Sequence, residues 1–324
     1  MRIMKALAPA LFLLLLSCSG GGREGVLDPG LLNAFAPLPE VMEADHNPVT
    51  PAKTALGRRL FHDPRFSQSG AISCATCHPL DQYGMDGETV SDGHEGAKGE
   101  RNAPTVYNAA GHFVQFWDGR AADVEEQARG PVLNPVEMAM ASEADVETVL
   151  RSDPSYAPEF RRAFPRDADP LTFNNMALAI GAFERTLTTP SRWDAFLKGD
   201  QSALTSGEQA GFAKFTETGC MTCHRGPYVG GQMYSRLGIV KNWPDKRDTG
   251  RFQVTGHERD RLIFKVPGLR NVSKTAPYFH NGAVETLDEA ISLMAGYQLG
   301  KQLTDDEVHQ IKTWLQTLTA QPGD

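Results

Sequence analysis

An all-α fold with long loops is predicted by three observations: an aromatic share of only 8%, many chain-breaking residues (31 Gly and 21 Pro), and few apolar runs alternating with period two. Helices are placed where caps and apolar periodicity coincide. Thr286 to Glu289 has capping-box spacing ahead of Leu287, Ala290, Ile291 and Met294, and Thr304 to Glu307 repeats it ahead of Val308, Ile311, Leu315 and Leu318. Both stretches read as amphipathic helices. Residues 171–186 read as a helix closing a first domain, Thr189-Pro190-Ser191 as its boundary, and 206–215 as the helix that opens a second. The stretch 67–111 is rich in Gly, Asp, Ser and Asn and reads as a loop able to move.

At the start of the chain, Arg2 and Lys5 precede an apolar run, 7–16, too short to span a bilayer comfortably. That pattern is a secretory signal, assigned to 1–17. Leu15-Leu16-Ser17-Cys18 resembles the bacterial lipobox, in which the Cys carries a lipid in the mature protein. The expectation is therefore a periplasmic protein anchored through Cys18, with 18–39 as a Gly-containing tether. An ordinary signal peptide cut nearby, leaving a soluble periplasmic protein, is the alternative.

Two copies of Cys-x-x-Cys-His carry the chemistry: Cys74-Ala75-Thr76-Cys77-His78 and Cys220-Met221-Thr222-Cys223-His224. Two thiols one helical turn apart suit two thioether bonds to a porphyrin, and the adjacent His presents an imidazole to its iron. A zinc site or a CxxC redox pair are the competing readings of a single copy. Repetition 146 residues apart (220 − 74) in an exported chain favours two covalently bound haem c groups. Five Cys less these four leave Cys18 for a lipid, so no disulfide framework is available. The prediction becomes two cytochrome c-like haem domains, 40–187 and 188–324, which suits a chain of 324 residues. The formal charge of −8 becomes about −10 once Arg2 and Lys5 leave with the signal, so nucleic acid is excluded as a partner.

The run from Gly57 through Arg58-Arg59-Leu60-Phe61-His62-Asp63-Pro64-Arg65-Phe66-Ser67, then Arg101-Asn102-Ala103-Pro104-Thr105 and Phe116-Trp117-Asp118-Gly119-Arg120, resembles the bacterial di-haem cytochrome c peroxidases. Val266-Pro267-Gly268-Leu269-Arg270-Asn271, Thr275-Ala276-Pro277-Tyr278-Phe279-His280-Asn281-Gly282, and Met294 with Gln298-Leu299-Gly300 resemble the same family in the same order. The likeness covers about residues 40 to 318. The family also includes MauG-type enzymes, which oxidise a protein tryptophan. The resemblance implies a peroxidase that reduces hydrogen peroxide to water with electrons from a small redox protein, a cytochrome c or a cupredoxin. It further implies a homodimer, with 40–187 as the peroxidatic domain and 188–324 as the electron-transfer domain. A MauG-like oxidase and a purely electron-carrying di-haem cytochrome are the alternative functions.

By periodicity alone Met294 is a core residue on its helix stripe; the resemblance makes it the second ligand of the His224 haem, with Tyr297 as the rival that a MauG-type enzyme would use. His94, flanked by Gly93 and Gly96, matches the family's displaceable ligand on the His78 haem, released when the other haem is reduced so that peroxide enters. His46, His62, His112, His257 and His309 read as solvated. Glu137 and Gln127 match distal-pocket positions, with Glu137 moving a proton between peroxide oxygens; Glu125 and Glu126 stay exposed carboxylates. Trp117 matches the residue between the haems. The resemblance also implies a Ca²⁺ bridging the domains through the Asn102 side chain and the carbonyls of Thr275 and Pro277.

Overall fold

The structure is a computed structural model that describes residues 29–320; the signal segment 1–17, Cys18 and the start of the 18–39 tether lie outside the described residues. The chain is mostly helical, 45% helix against 4% strand, which amends the all-α expectation by one small sheet. Tyr234–Arg236 pairs antiparallel with Ile263–Lys265. This pairing satisfies backbone groups where a long loop passes over apolar neighbours such as Phe264, buried on its strand.

Two hydrophobic cores organise the chain. In the first, the Pro51–Phe61 and Phe173–Glu184 helices cross so closely that a Cβ on Gly57 would lie 1.9 Å from the Ala179 carbonyl oxygen. The second repeats the device: a Cβ on Gly211, in the Ser206–Thr218 helix, would lie 2.2 Å from the carbonyl oxygen of Gln310 in the Asp305–Leu315 helix. Glycine is needed at both crossings because any side chain would drive the helices apart. Phe35, Trp193, Phe212, Phe215 and Trp314 fill the second core through edge-on and tilted ring contacts.

The expected helices are present with shifted ends. The 171–186 segment is helical over Phe173–Glu184, and 206–215 extends to Thr218, capped by Gly219 at φ +100°. Thr304 and Glu307 form the complete reciprocal box, while at Thr286 the hydroxyl accepts from Glu289 N. The 67–111 loop folds into short turns, among them Leu80–Gln82, His94–Gly96 and Ala109–Gly111.

Beyond the two haem motifs, a repeat that the sequence reading missed relates the halves at a spacing of 163 positions (280 − 117, 271 − 108). Asn108 and Asn271 both stand at φ +61°. Gln115 bridges Ala121 as Tyr278 bridges Val284, around Phe116 and Phe279, which share positive φ. Side-chain oxygens of Asp123 and Thr286 then cap the following helices, Val124–Leu133 and Leu287–Leu299. The halves exchange backbone hydrogen bonds across this pseudo-dyad: Asn102 N donates to His280 O, and its counterpart Lys265 N donates to Trp117 O, each at 2.8 Å. Near the axis the buried Thr189 hydroxyl accepts from both Asn108 Nδ2 (2.7 Å) and Asn271 Nδ2 (2.9 Å).

Thr189→Val keeps the volume but strands two buried amide donors, so unfolding by denaturant should show a loss of about 2–4 kcal/mol; a loss below about 0.5 kcal/mol would mean that water replaces the hydroxyl.

Candidate active site

Each Cys-x-x-Cys-His segment follows a helix start or a helix end. Ser73 caps the Cys74–Cys77 turn, its hydroxyl and that of Thr76 forming a reciprocal box, and the left-handed Gly219 turns the chain from the Ser206–Thr218 helix into Cys220. His78 Nδ1 donates to the Gly84 carbonyl at 3.0 Å and His224 Nδ1 to that of Val229 at 3.3 Å. A carbonyl can only accept, so the proton sits on Nδ1 and Nε2 keeps its lone pair. Burial reinforces this state: it lowers the His78 pKa and brings that of His224 down to about 4, so both imidazoles are neutral. Both rings are therefore ready to bind iron.

Burial raises the pKa of Cys74 and Cys220 to about 12, so both thiols are protonated and uncharged at neutral pH. Among the described residues, the one group of three His, Cys, Asp or Glu donors close enough to share an ion is His46, Asp123 and Glu125, away from both motifs. That group is explained by ion pairing: Arg185 takes both Glu125 oxygens at 2.8 Å, and His46 Nε2 lies 3.2 Å from Asp123. Haem fits both motifs, with the thiols as thioether partners and the imidazoles as iron ligands.

Of the residues expected around the first haem, Glu137 lines a cleft. About 320 Å³ in volume, it is lined by Phe116, Arg120, Pro131, Asn134 and Glu137 among others. A larger cleft of about 580 Å³ is lined by Arg65, Gln68 and Asp145 among others, and neither cleft is lined by a haem-motif residue. Asn134 builds the corner: its Nδ2 donates to Glu137 Oε1 at 2.9 Å while its Oδ1 accepts from Val136 N. Burial outweighs the Asn134 hydrogen bond and the nearby Arg120 charge, so the Glu137 pKa is raised. Arg120 stacks over the Phe116 ring at 3.4 Å and pairs with Asp118. Gln127 is half-buried one helical turn before Pro131 and is not among the residues lining the cleft. Phe116 and Arg120 were not assigned a role from sequence; the positive φ of Phe116 leaves no mark in composition or periodicity.

His94 is docked beside the same corner. Its backbone N–H is shared between the carbonyls of Val136 (3.1 Å) and Glu137 (2.8 Å), and its buried Nδ1 has no partner. A buried imidazole with an unused nitrogen suits a ligand whose acceptor is not a protein atom. On the other side, Trp117 donates through Nε1 to Asn102 O at 2.9 Å and meets the His280 ring edge-on at 6.4 Å. Asn102 is thereby held beside the 275–280 turn that carries Thr275 and Pro277, and its Nδ2 donates to Glu88 O. In the second half, Met294 is half-buried in the Leu287–Leu299 helix. The Tyr297 ring is committed to Trp243 (4.9 Å) and to the Lys241 ammonium.

Two expectations outside the haem-motif set are corrected. Glu125 is buried against Arg185 and Asn47, not exposed, because a bidentate guanidinium offsets its desolvation. His112 is not solvated: its ring is enclosed by Gly231, Gly268 and Tyr228, and burial pushes its pKa well below the usual value.

The paired motifs and their neutral imidazoles define a di-haem c-type protein. A family model described as di-haem cytochrome c peroxidase matches residues 51–202. The cytochrome c551 peroxidase of Pseudomonas aeruginosa is 46% identical over 88% of this chain and 84% of its own. The methylamine utilization protein MauG of Methylorubrum extorquens is 34% identical over 86% of this chain and 81% of its own. A crystal structure of a MauG-like protein associated with microbial copper homeostasis superposes with a TM-score of 0.78 at 31% identity, covering 87% of this chain and 93% of that one. The chain belongs to the di-haem cytochrome c peroxidase family and is an oxidoreductase of the peroxidase class.

Gly93 lets the His94 loop dock, since a Cβ there would stand 1.9 Å from the Val136 carbonyl oxygen. Gly93→Ala should keep both haems yet undock the loop. Amide exchange at His94 should rise about tenfold or more, roughly 1.4 kcal/mol of lost local stability; unchanged protection would show that the loop is held elsewhere.

Proposed function

We propose that this chain reduces hydrogen peroxide to water in the cleft between Glu137, Phe116 and the His94 loop, using electrons that a small redox protein, a cytochrome c or a cupredoxin, delivers to the second half. The observation that carries this reading is the Glu137 corner: a buried carboxyl with a raised pKa, oriented by Asn134 and covered by the segment that holds His94. A pure electron carrier has no use for a proton-holding group in a cleft.

Haem iron, when bound, supplies the redox chemistry at each site, held by Cys74, Cys77 and His78 in the first half and by Cys220, Cys223 and His224 in the second. The chain's own residues manage protons, water and access. Glu137 uses the oxygen that Asn134 leaves free to take a proton from one peroxide oxygen and return it to the other, which departs as water. Phe116 and Pro131 narrow the cleft and limit bulk water. His94 is the detachable side chain: its loop rests on the 136–137 backbone, so loop release opens the cleft next to the proton carrier. Gln127 supplies a polar group from the same helix turn. Trp117, fixed at its indole N–H by Asn102 and at its carbonyl by Lys265, lies between the halves as the electron route.

Met294 would hold the haem of the second half together with His224. The commitment of Tyr297 to Trp243 and Lys241 supports the thioether over the phenol, and with it a peroxidase over a MauG-like oxidase. Calcium held by Asn102 with the Thr275 and Pro277 carbonyls, a homodimer, and a periplasmic location with a lipid on Cys18 complete the proposal. The Asn102 N to His280 O bond supports the calcium reading by placing the amide against that turn.

Glu137→Gln should retain both haems and the fold but slow peroxide cleavage about 10²-fold or more in stopped-flow mixing, because an amide cannot carry the proton; cleavage at the wild-type rate ends the assignment. Met294→His should lower the second haem's potential, imidazole replacing a thioether that favours the reduced state, and donor-driven turnover should fall with it. An unaltered spectrum and potential would make Met294 a packing residue.

A further inference from the structure

The repeat gives the two imidazoles closely similar frames. Val106 N donates to Gly84 O beside His78, and Leu269 N donates to Tyr228 O beside His224, each at 3.2 Å. Backbone of Pro104 faces the first ring, as that of its counterpart Pro267 faces the second. A Cβ on Gly230 would lie 2.2 Å from the Pro267 carbonyl oxygen and 3.1 Å from His224 Nδ1, which places the 265–268 segment against that imidazole.

Two residues upstream of each proline the symmetry fails in charge. The first half has Asn102, a neutral amide; the second has Lys265, 163 positions on (265 − 102). Lys265 is 6% exposed, and its ammonium reaches His112 Nδ1 at 3.4 Å. The carboxylate that acts on it is Asp118, already paired with Arg101 at 2.5 Å and Arg120 at 3.1 Å. A buried ammonium without a carboxylate of its own is costly to hold. On the Asn102 side the adjacent guanidinium, Arg101, is neutralised by Asp118 and Asp248, whereas among the described residues the Lys265 ammonium has no carboxylate within ion-pair distance.

We propose that Lys265 is the fixed positive charge that raises the electron affinity of the second haem above that of the first. The inference rests on the reading of the second half as the site of electron entry. A reduced haem carries one unit less positive charge than an oxidised one, so a cation in its surroundings favours reduction. Burial keeps water and salt from screening the effect.

The groups facing the ammonium are His112, Asp118 with its two arginines, and the Tyr228 phenol against His112. His112 stays neutral because burial and Lys265 itself lower its pKa, and burial raises that of Tyr228. Lys265 is brought down to about 8, so it is the group here that loses its proton just above neutrality. Loss of that proton removes the cation. The second haem's potential should therefore fall as the pH rises through about 8.

Spectroelectrochemical titration of both haems in the holoprotein tests this, with Lys265→Gln removing the charge at similar length and Lys265→Arg keeping it. The glutamine variant should show a lowered second-haem potential, an unshifted first haem and no fall through pH 8, while the arginine variant should keep the wild-type potential at neutral pH and, because a guanidinium holds its proton, show no fall through pH 8. An unshifted second haem in Lys265→Gln with both haems bound overturns the inference. Equal shifts in both variants overturn it too, since packing would then be the cause. If Lys265→Gln fails to take up the second haem, the wild-type pH profile decides, and a flat profile through pH 8 overturns the proposal. A wild type whose second haem is not the higher in potential would instead count against electron entry at that half, a separate result from the variant shifts.

Discussion

The two halves are locked by groups that each half offers to the other. Asn102 N to His280 O and Lys265 N to Trp117 O are the same bond made twice in opposite directions, with the Thr189 hydroxyl accepting an amide from each half nearby. Because one of the two bonds joins Lys265 to Trp117, and the other is made by Asn102, whose carbonyl accepts the Trp117 indole N–H, the lock also fixes Trp117 between the halves. The cleft beside Glu137 depends on it as well: Phe116 precedes Trp117 and lines the cleft, so displacement of one moves the other. An interface built on backbone bonds and a loop docked through the close approach at Gly93 thus lie side by side.

Burial decides protonation throughout. The same desolvation that keeps His78 and His224 neutral raises the Glu137 pKa and lowers that of Lys265. Where a carboxylate must stay charged inside, the fold supplies a guanidinium: Arg185 for Glu125 and Arg270 for Asp194. Glu184 lies close to Arg185 but also to Glu125, and burial raises its pKa to about 8. Paired charges therefore hold the structure, and Glu137 and Lys265 are among the buried groups left without a full counter-charge.

The haem motifs, the helix starting after Thr304 and the helical class were legible in the sequence because each rests on local spacing: two thiols and a ring within five residues, or a hydroxyl and a carboxylate three apart. The pseudo-dyad was not. Its counterparts share few side chains, Trp117 matching His280 and Asn102 matching Lys265, and what is conserved between the halves is φ angles and backbone partners. Glu125 and His112 were misplaced for a related reason, since an isolated Glu or His has no sequence mark that distinguishes a surface position from one enclosed by a distant partner.

By itself the sequence determined covalent chemistry and local geometry: two haem attachment sites with an adjacent imidazole each, helix caps, and a Gly-flanked His94, all fixed by neighbours along the chain. Only the tertiary structure decided which residues share an environment. It brought Asn134 and Glu137 to the His94 backbone, turned Tyr297 toward Trp243, and enclosed Lys265 beside His112. Protonation and charge depend on desolvation and on partners far along the chain, 153 positions apart for Lys265 and His112; those quantities come into being only when the chain closes on itself.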